Sequence, residues 1–202
     1  NAQPLVHHGR SRVVALGHNG NLTNAEELRA ELAEDGVRPA STSDSELIGA
    51  LIANDPAPLS DAVGNTLSRL EGASTVVALA EGKLLGFRDP LGFRPLVVGR
   101  LGDDWVLASE TCALDLVGAE FERDVRPGEL VVINGGLESH QVVEPARRAL
   151  CLFEFIYLAR PDSRLDNEEV HAARVRMGEI LAGEAPVVAD LVMPVPDSGT
   201  PA

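Results

Sequence analysis

Residues Ser74–Val98, STVVALAEGKLLGFRDPLGFRPLVV, decide the fold class. Short runs rich in β-branched and apolar residues, Thr75–Ala80, Leu84–Phe87 and Pro95–Val98, alternate with Gly- and Asp-containing turns, the pattern of consecutive strands. Trp105–Ala108 and Leu130–Ile133 continue it downstream, with Asn134, Gly135 and Gly136 as a further hairpin tip and a short helix at Thr111–Val117. The stretch predicts an antiparallel meander. Upstream the hydrophobic period is that of helices. Helices followed by a run of strands indicate an α+β layered domain rather than a regular βαβ alternation.

The upstream half begins with a short strand at Arg12–Leu16, predicted to run into a turn at Gly17, His18, Asn19 and Gly20, since Asn-Gly is a strong tight-turn signal. Thr23 and Glu26 have capping-box spacing, and Ala25, Leu28 and Leu32 recur at helical intervals until Gly36. Ser43 and Glu46 repeat that grammar before Leu47, Ile48, Ala50 and Leu51. A third helix is predicted at Asp61–Leu70, separated from the second by the breaker Asp55–Pro58. His7 and His8 fall in a stretch predicted to be mobile.

After Pro145 the texture changes. Leu150–Leu158 is almost continuously apolar and reads as a strand; a polar turn follows at Arg160–Ser163, then a helix at Val170–Glu184 and a buried strand at Val187–Val195. Strand, helix and strand open a second domain, which divides the chain at 1–146 and 147–202. There is no internal repeat and no low-complexity segment.

Composition narrows the function classes. Of 202 residues 45% are hydrophobic and 24% charged, which excludes disorder and fibrous structure. No apolar run approaches the ~20 residues a membrane span needs. Seventeen Lys+Arg against 31 Asp+Glu leave a net charge of −14, a field that repels phosphate backbones and anionic lipid; no nucleic acid and no membrane are expected as partners. Cys112 and Cys151 stand far apart, so neither a disulfide framework nor a complete zinc site is encoded, and a reducing cytoplasm fits best. With no initiator Met at Asn1, no signal segment, and an end within a Pro/Gly/Ser turn at Ala202, the expectation is an internal fragment.

Four segments are candidates for chemistry. In His18–Asn24, HNGNLTN, the Asn19 amide and the Gly20 N–H are either a plain turn and helix cap or a pair of donors for a developing oxyanion. In Ser41–Glu46, STSDSE, Asp44 in the first helical turn is either a carboxylate placed there by the helix dipole or an anion awaiting a substrate ammonium. Arg88 and Asp89 read as a loop-stabilising pair, the alternative being that Arg88 and Arg94 receive an anionic substrate; Arg160 and Asp162 pose the same choice. Neither cysteine sits beside a convincing His or at a helix start, and His140 and His171 stand alone. No GxGxxG or GxxxxGK[ST] phosphate loop is present.

NAQP (Asn1–Pro4), GHNGNLTN (Gly17–Asn24), STSDSE (Ser41–Glu46), FRDPLGFRPLVVG (Phe87–Gly99), ASETCALD (Ala108–Asp115), RDVRPGEL (Arg123–Leu130), CLFEFIYLARPDS (Cys151–Ser163) and PVPDSGTPA (Pro194–Ala202) together resemble the amidophosphoribosyltransferases. HNGNLTN alone indicates only class II glutamine amidotransferases; the ARPDS and PVPDSG segments make the likeness specific. The resemblance implies an N-terminal-nucleophile (Ntn) hydrolase domain, a four-layer αββα sandwich, followed by the start of an α/β type I phosphoribosyltransferase domain.

In that family an N-terminal Cys attacks the glutamine amide with its own α-amino group as base. Ammonia then passes through an apolar channel and displaces pyrophosphate from phosphoribosylpyrophosphate, giving 5-phosphoribosylamine for purine synthesis. By position, Asn19 and Gly20 look like the oxyanion donors, Asp44 like the carboxylate that holds the glutamine α-amino group, and Phe153 and Tyr157 like channel-lining residues. Cys151 matches a ligand of a [4Fe–4S] cluster found in some members. The resemblance also implies Mg²⁺ with phosphoribosylpyrophosphate, purine nucleotides as feedback inhibitors, and a homo-oligomer, dimer or tetramer. The nucleophilic Cys, the arginine for the glutamine carboxylate and the ribose-phosphate loop are absent from these residues, so the fragment alone is expected to be inactive. Rival readings are a catalytically dead scaffold or sensor, and another class II amidotransferase.

Overall fold

The computed structural model describes residues 2–202; Asn1, the first residue of the NAQP segment, lies outside them. The elements run β1 (Leu5–His8), β2 (Val13–Leu22), α1 (Ala25–Glu34), α2 (Asp44–Asn54), α3 (Leu59–Leu67), β3 (Gly72–Ala80), β4 (Lys83–Arg88), β5 (Val97–Leu101), β6 (Asp104–Ala108), α4 (Thr111–Val117), β7 (Glu120–Asp124), β8 (Glu129–Ile133) and β9 (Leu137–Gln141). Strands that the sequence predicts as one meander form two antiparallel sheets. One is six-stranded in the order β1-β2-β3-β4-β8-β9; the other is three-stranded, β6-β5-β7. The chain leaves the first sheet after β4 and returns at β8, which pairs with β4 from Leu84↔Ile133 to Phe87↔Leu130.

Strand alternation builds four layers. On β3, Val76, Ala78 and Ala80 point to a core shared with Leu28 and Leu32 of α1, Leu47, Ile48 and Ile52 of α2, and Val63 and Leu67 of α3. Val77, between them, faces the opposite way into a second cluster with Val98 of β5, Val131 of β8 and Trp105 and Leu107 of β6. On β5 the neighbour of Val98, Val97, turns outward to a third cluster with Leu114 of α4. Helices, sheet, sheet and helix are thus stacked, each interface fed by one parity of the strands between. This is the αββα sandwich expected from the resemblance. Each fully buried Leu or Ile contributes roughly 1.5–3 kcal/mol, and α2, buried at Ser45 and at every position from Leu47 to Ala53, is the helix packed on β1, β2, α1 and α3 alike.

Several expectations are corrected. Gly17–Gly20 is not a turn: β2 continues through it to Leu22, in unbroken register with β3 from Val14↔Ala80 to Leu22↔Gly72. An Asn-Gly hairpin needs a second strand directly after it, whereas a helix follows here and the partner strand arrives from residue 72 onward. The Ser43–Glu46 capping box does not form; the Glu46 carboxylate instead accepts the N–H groups of Ala40 and Ser41, each at 2.7 Å, and the Ser41 hydroxyl. His7 and His8 belong to β1.

Beyond β9 the chain forms a π-helical turn at Glu154–Leu158, the two-residue strands β10 (Arg164–Leu165) and β11 (Glu168–Glu169), and helix α5 (Val170–Glu184). The apolar run Leu150–Leu158 is therefore helical from Leu152 onward rather than a strand, the ambiguity that periodicity leaves in short continuous apolar segments. Val187–Val195 is not a strand either. Its Val187, Val188, Leu191, Val192 and Val195 side chains are exposed, and among the described residues no strand lies beside it to accept its backbone hydrogen bonds.

Candidate active site

The end of β2 is where the candidate residues of the first half meet. Strand parity carries His18 to the helix side with Val14 and Leu16, and Asn19 to the opposite, exposed side. The His18 imidazole is buried between α2 and β3, Nδ1 3.0 Å from Ser45 Oγ and Nε2 3.3 Å from the Ala73 carbonyl. A carbonyl only accepts, so Nε2 carries the proton and Nδ1 accepts from the Ser45 hydroxyl. Burial lowers the His18 pKa below its ordinary value, against the pull of the Ala73 carbonyl and the Asp44 and Asp89 carboxylates. The ring is neutral near pH 7.

Asp44, the first residue of α2, spans the gap between helix and strand. Its Oδ2 accepts the Leu22 N–H at 3.0 Å and its Oδ1 the Ser45 N–H at 2.8 Å. Along the same edge of the strand Gln3 takes the place of a missing strand residue: its Oε1 accepts the His18 N–H at 2.7 Å and its Nε2 donates to the His18 carbonyl at 3.0 Å.

These contacts fix where the Gly20 N–H points. In an antiparallel strand, alternate residues turn their N–H groups to the same side. The N–H groups of His18 and Leu22 both face the β1 edge, toward Gln3 and Asp44, so that of Gly20 faces that edge as well. Its opposite residue Ser74 confirms this, because the Ser74 N–H and carbonyl are engaged with Asp89 on the far side, at 3.1 and 2.7 Å. β1 reaches no further than Leu5, which pairs with Leu16. The Gly20 N–H is therefore presented at an edge that β1 does not cover, its two neighbours of like parity held by side chains. Only glycine fits there: a Cβ would lie 2.0 Å from the Ala73 oxygen and 2.6 Å from His18 Nε2.

The arginine alternatives resolve differently. Arg88 and Asp89 are both buried, yet they do not bond each other: Arg88 donates to the Val125 and Gly92 carbonyls at 2.6 and 2.9 Å, while Asp89 gathers the N–H groups of Ser74, Leu91 and Phe93. Arg94 pairs with buried Glu154 at 2.8 Å, and Arg160 with Asp162 at the surface. Phe153 and Tyr157, 62% and 66% exposed, flank and occupy the π turn beside exposed Leu152, away from Asn19 in sequence and joined to its neighbourhood through the loop 89–95. Cys151 is a half-buried free thiol and Cys112 a buried one; contrary to the expectation that neither stands at a helix start, Cys112 is the second residue of α4. Among the described residues no cluster of three or more His, Cys, Asp or Glu side chains is placed to hold a metal ion. A [4Fe–4S] cluster needs about four thiolates, so these residues alone do not fit one.

Sequence reasoning passed over Gln3, His18 and Ser45. The signal was available for His18: it continues the buried parity of Val14 and Leu16, and a polar group at an apolar position needs partners.

Comparisons with known proteins give the chain's relatives. Residues 1–116 match the family model described as a glutamine amidotransferase domain. The chain is similar to the amidophosphoribosyltransferases of Synechocystis sp., 50% identical over 211 residues covering 100% of this chain and 42% of that protein, and of Archaeoglobus fulgidus, 46% identical over 204 residues covering 98% and 44%. Among solved structures, the glutamine phosphoribosylpyrophosphate amidotransferase of B. subtilis complexed with ADP and GMP superposes with a TM-score of 0.93 at 42% identity, over 100% of this chain and 45% of that one. The chain spans less than half the length of these relatives. With more than half of its residues matched by the family model, the chain belongs to the glutamine amidotransferase domain family.

Proposed function

We propose that the chain is the glutamine-handling part of an amidophosphoribosyltransferase, which transfers ammonia from glutamine to phosphoribosylpyrophosphate and yields 5-phosphoribosylamine, glutamate and pyrophosphate at the entry to purine synthesis. The observation that carries this reading is the Gly20 N–H at the open edge of β2, next to the exposed Asn19 amide. Two such donors stabilise the oxyanion that forms when a thiolate adds to the glutamine side-chain carbonyl, each worth roughly 3–4 kcal/mol in the transition state when aimed at the developing charge. Because neighbouring bonds already hold the strand, no reorganisation is needed as the charge appears.

Asp44 binds the other end of glutamine. Two N–H groups keep its carboxylate in place, and as an anion it pairs with the substrate α-ammonium. The nucleophilic Cys, the α-amino base and the carboxylate-binding arginine come from outside these residues. Released ammonia is neutral and crosses an apolar passage whose wall includes Phe153 and Tyr157; excluding water there keeps the ammonia from being protonated and lost.

Residues 1–146 form the amidotransferase domain in this reading, and 147–202 begin the phosphoribosyltransferase domain. Mg²⁺ accompanies phosphoribosylpyrophosphate there, purine nucleotides inhibit, and the enzyme works as a cytoplasmic homo-oligomer. Among the described residues no helix is long and apolar enough to cross a membrane. A cluster on Cys151 would require thiolates from elsewhere in the protein, and no step of the reaction passes through it.

The test is glutamate release by the full-length gene product, with and without phosphoribosylpyrophosphate and Mg²⁺. Strong stimulation by the sugar phosphate is expected. A folded, processed enzyme that releases no glutamate under either condition overturns the reading in favour of a scaffold; release unaffected by the sugar phosphate favours another class II amidotransferase.

A further inference from the structure

The loop between β4 and β5 is fastened to the candidate site on one side and to the aromatic segment on the other. On the site side, Asp89 exchanges hydrogen bonds with Ser74, and the Thr75 hydroxyl donates to the Arg94 carbonyl at 3.1 Å. Ser74 and Thr75 are the β3 residues opposite Gly20 and Asn19. Asp89 Oδ1 also takes the N–H groups of Leu91 and Phe93 at 3.0 and 3.3 Å, and Arg88 holds the Gly92 carbonyl, so the loop has a fixed shape.

On the far side the loop carbonyls of Pro90, Leu91 and Phe93 accept the N–H groups of Ala146, Ala149 and Cys151 at 2.8, 2.9 and 3.0 Å. Backbone pairing ends at Cys151. Beyond it the tie from loop to π turn is the ion pair of Arg94 with Glu154 Oε1. Glu154 is 4% exposed and is the first residue of the turn, whose other end is closed by Arg174, donating to the Phe155 and Ala159 carbonyls at 2.8 Å each. A buried carboxylate deprived of its cation is driven toward water. Loss of Arg94 would therefore both cut the tie and displace the turn that bears Tyr157 and adjoins Phe153, whereas replacing both residues would cut the tie alone.

We propose that Arg94 and Glu154 are a positioning pair that keeps the segment 151–158 in register with the strand carrying Asn19 and Gly20, and so sets the fraction of released ammonia that reaches the second reaction. This rests on the function proposed above. Neither residue touches the reacting atoms, so both partial reactions stand without the pair and only their coupling depends on it.

The experiment compares three rates in the full-length enzyme: glutamate release, amine formation from glutamine, and amine formation from an ammonium salt. Arg94→Met, and the double variant Arg94→Met/Glu154→Leu that leaves no buried charge, are expected to keep glutamate release and ammonium-dependent synthesis near those of the unsubstituted enzyme. Glutamine-dependent synthesis should fall behind glutamate release by about twofold or more, the range in which side chains between two sites alter their coupling. Glu154→Gln, whose amide oxygen still accepts from Arg94, should restore matched rates. A folded double variant with matched rates overturns the proposal, as does a parallel loss of all three. If the unsubstituted enzyme releases no glutamate, the functional reading itself has failed and the pair has nothing to couple.

Discussion

Asp44 Oδ2 lies 3.0 Å from the Leu22 N–H, so the first residue of α2 holds the strand two positions beyond Gly20. One carboxylate thereby serves the fold and, in the proposed function, the substrate. Asp44→Asn separates the two. The amide oxygen still accepts from Leu22, but the amide nitrogen cannot accept from Ser45, and the charge that would meet the glutamine α-ammonium is gone. A hydrogen bond to a charged group contributes about 1.5–3 kcal/mol, so glutamine KM should rise roughly 10- to 100-fold, while stability falls only by the one lost hydrogen bond, about 1 kcal/mol, and ammonium-dependent synthesis is unchanged. An unchanged KM would remove Asp44 from the substrate site.

Asn19 and Gly20 are adjacent yet should fail in different ways. Asn19 is exposed, so Asn19→Ala should leave stability within about 0.5 kcal/mol while lowering glutaminase kcat by about 10²–10³-fold. Gly20→Ala drives a Cβ to 2.0 Å from the Ala73 oxygen, and β2 and β3 must part to admit it. Overpacking of this kind costs about 1–3 kcal/mol or more, visible as a lower melting temperature whether or not glutamine is present. An Asn19→Ala enzyme of full glutaminase activity would dismiss the oxyanion assignment.

The buried His18 ring gives a pH signature. Its folded pKa lies below the ordinary 6.5, chiefly through burial, so between the two values the unfolded chain binds the extra proton. Stability contributed by the neutral ring is present above about pH 6.5 and is lost as pH falls through the folded pKa. NMR titration of the His18 ring should give a midpoint below 6.5. A midpoint above 7 would mean that the Ala73 carbonyl and the Asp44 and Asp89 carboxylates dominate over burial.

How much of this was legible in the sequence depended on what each signal encodes. Helices α4 and α5 were readable to their end residues, Thr111–Val117 and Val170–Glu184, because helical period and flanking residues are local. The strand through His18–Gly20 was not, because the Asn-Gly signal describes a chain that turns back on itself, and whether it does depends on β3, some fifty residues later. The two-sheet division came from the resemblance and not from the pattern: Val77 and Val98 look alike to a hydropathy pattern, and only tertiary packing makes them face each other. Asn19 and Asp44 were named as candidates from residue type and position, and the resemblance decided between their alternative readings; the physical reason they lie at one end of β2, the Leu22 contact, is a long-range bond that spacing alone does not contain.

Glu129 offers a test of the fold independent of catalysis. It heads β8 with no accessible side-chain surface, bound by Arg123 at 2.8 and 2.9 Å, by the Arg126 N–H at 2.6 Å and by the Ser139 hydroxyl. Burial pushes its pKa up from 4.5, but the hydrogen bonds from Arg123, Ser139 and Arg126 outweigh that and bring it down to about 2. A depressed carboxylate stabilises the fold fully above its unfolded pKa and loses that contribution as pH falls toward the folded value. The window is therefore about pH 4.5 down to 2, and the contribution at pH 7 is at most about 3 kcal/mol. Glu129→Gln leaves Arg123 facing a neutral amide, so it should lower stability at pH 7 and flatten the acid limb of a denaturation profile within that window. An acid limb as steep in the variant as in the unsubstituted protein would show that other carboxylates set the acid stability of this sandwich.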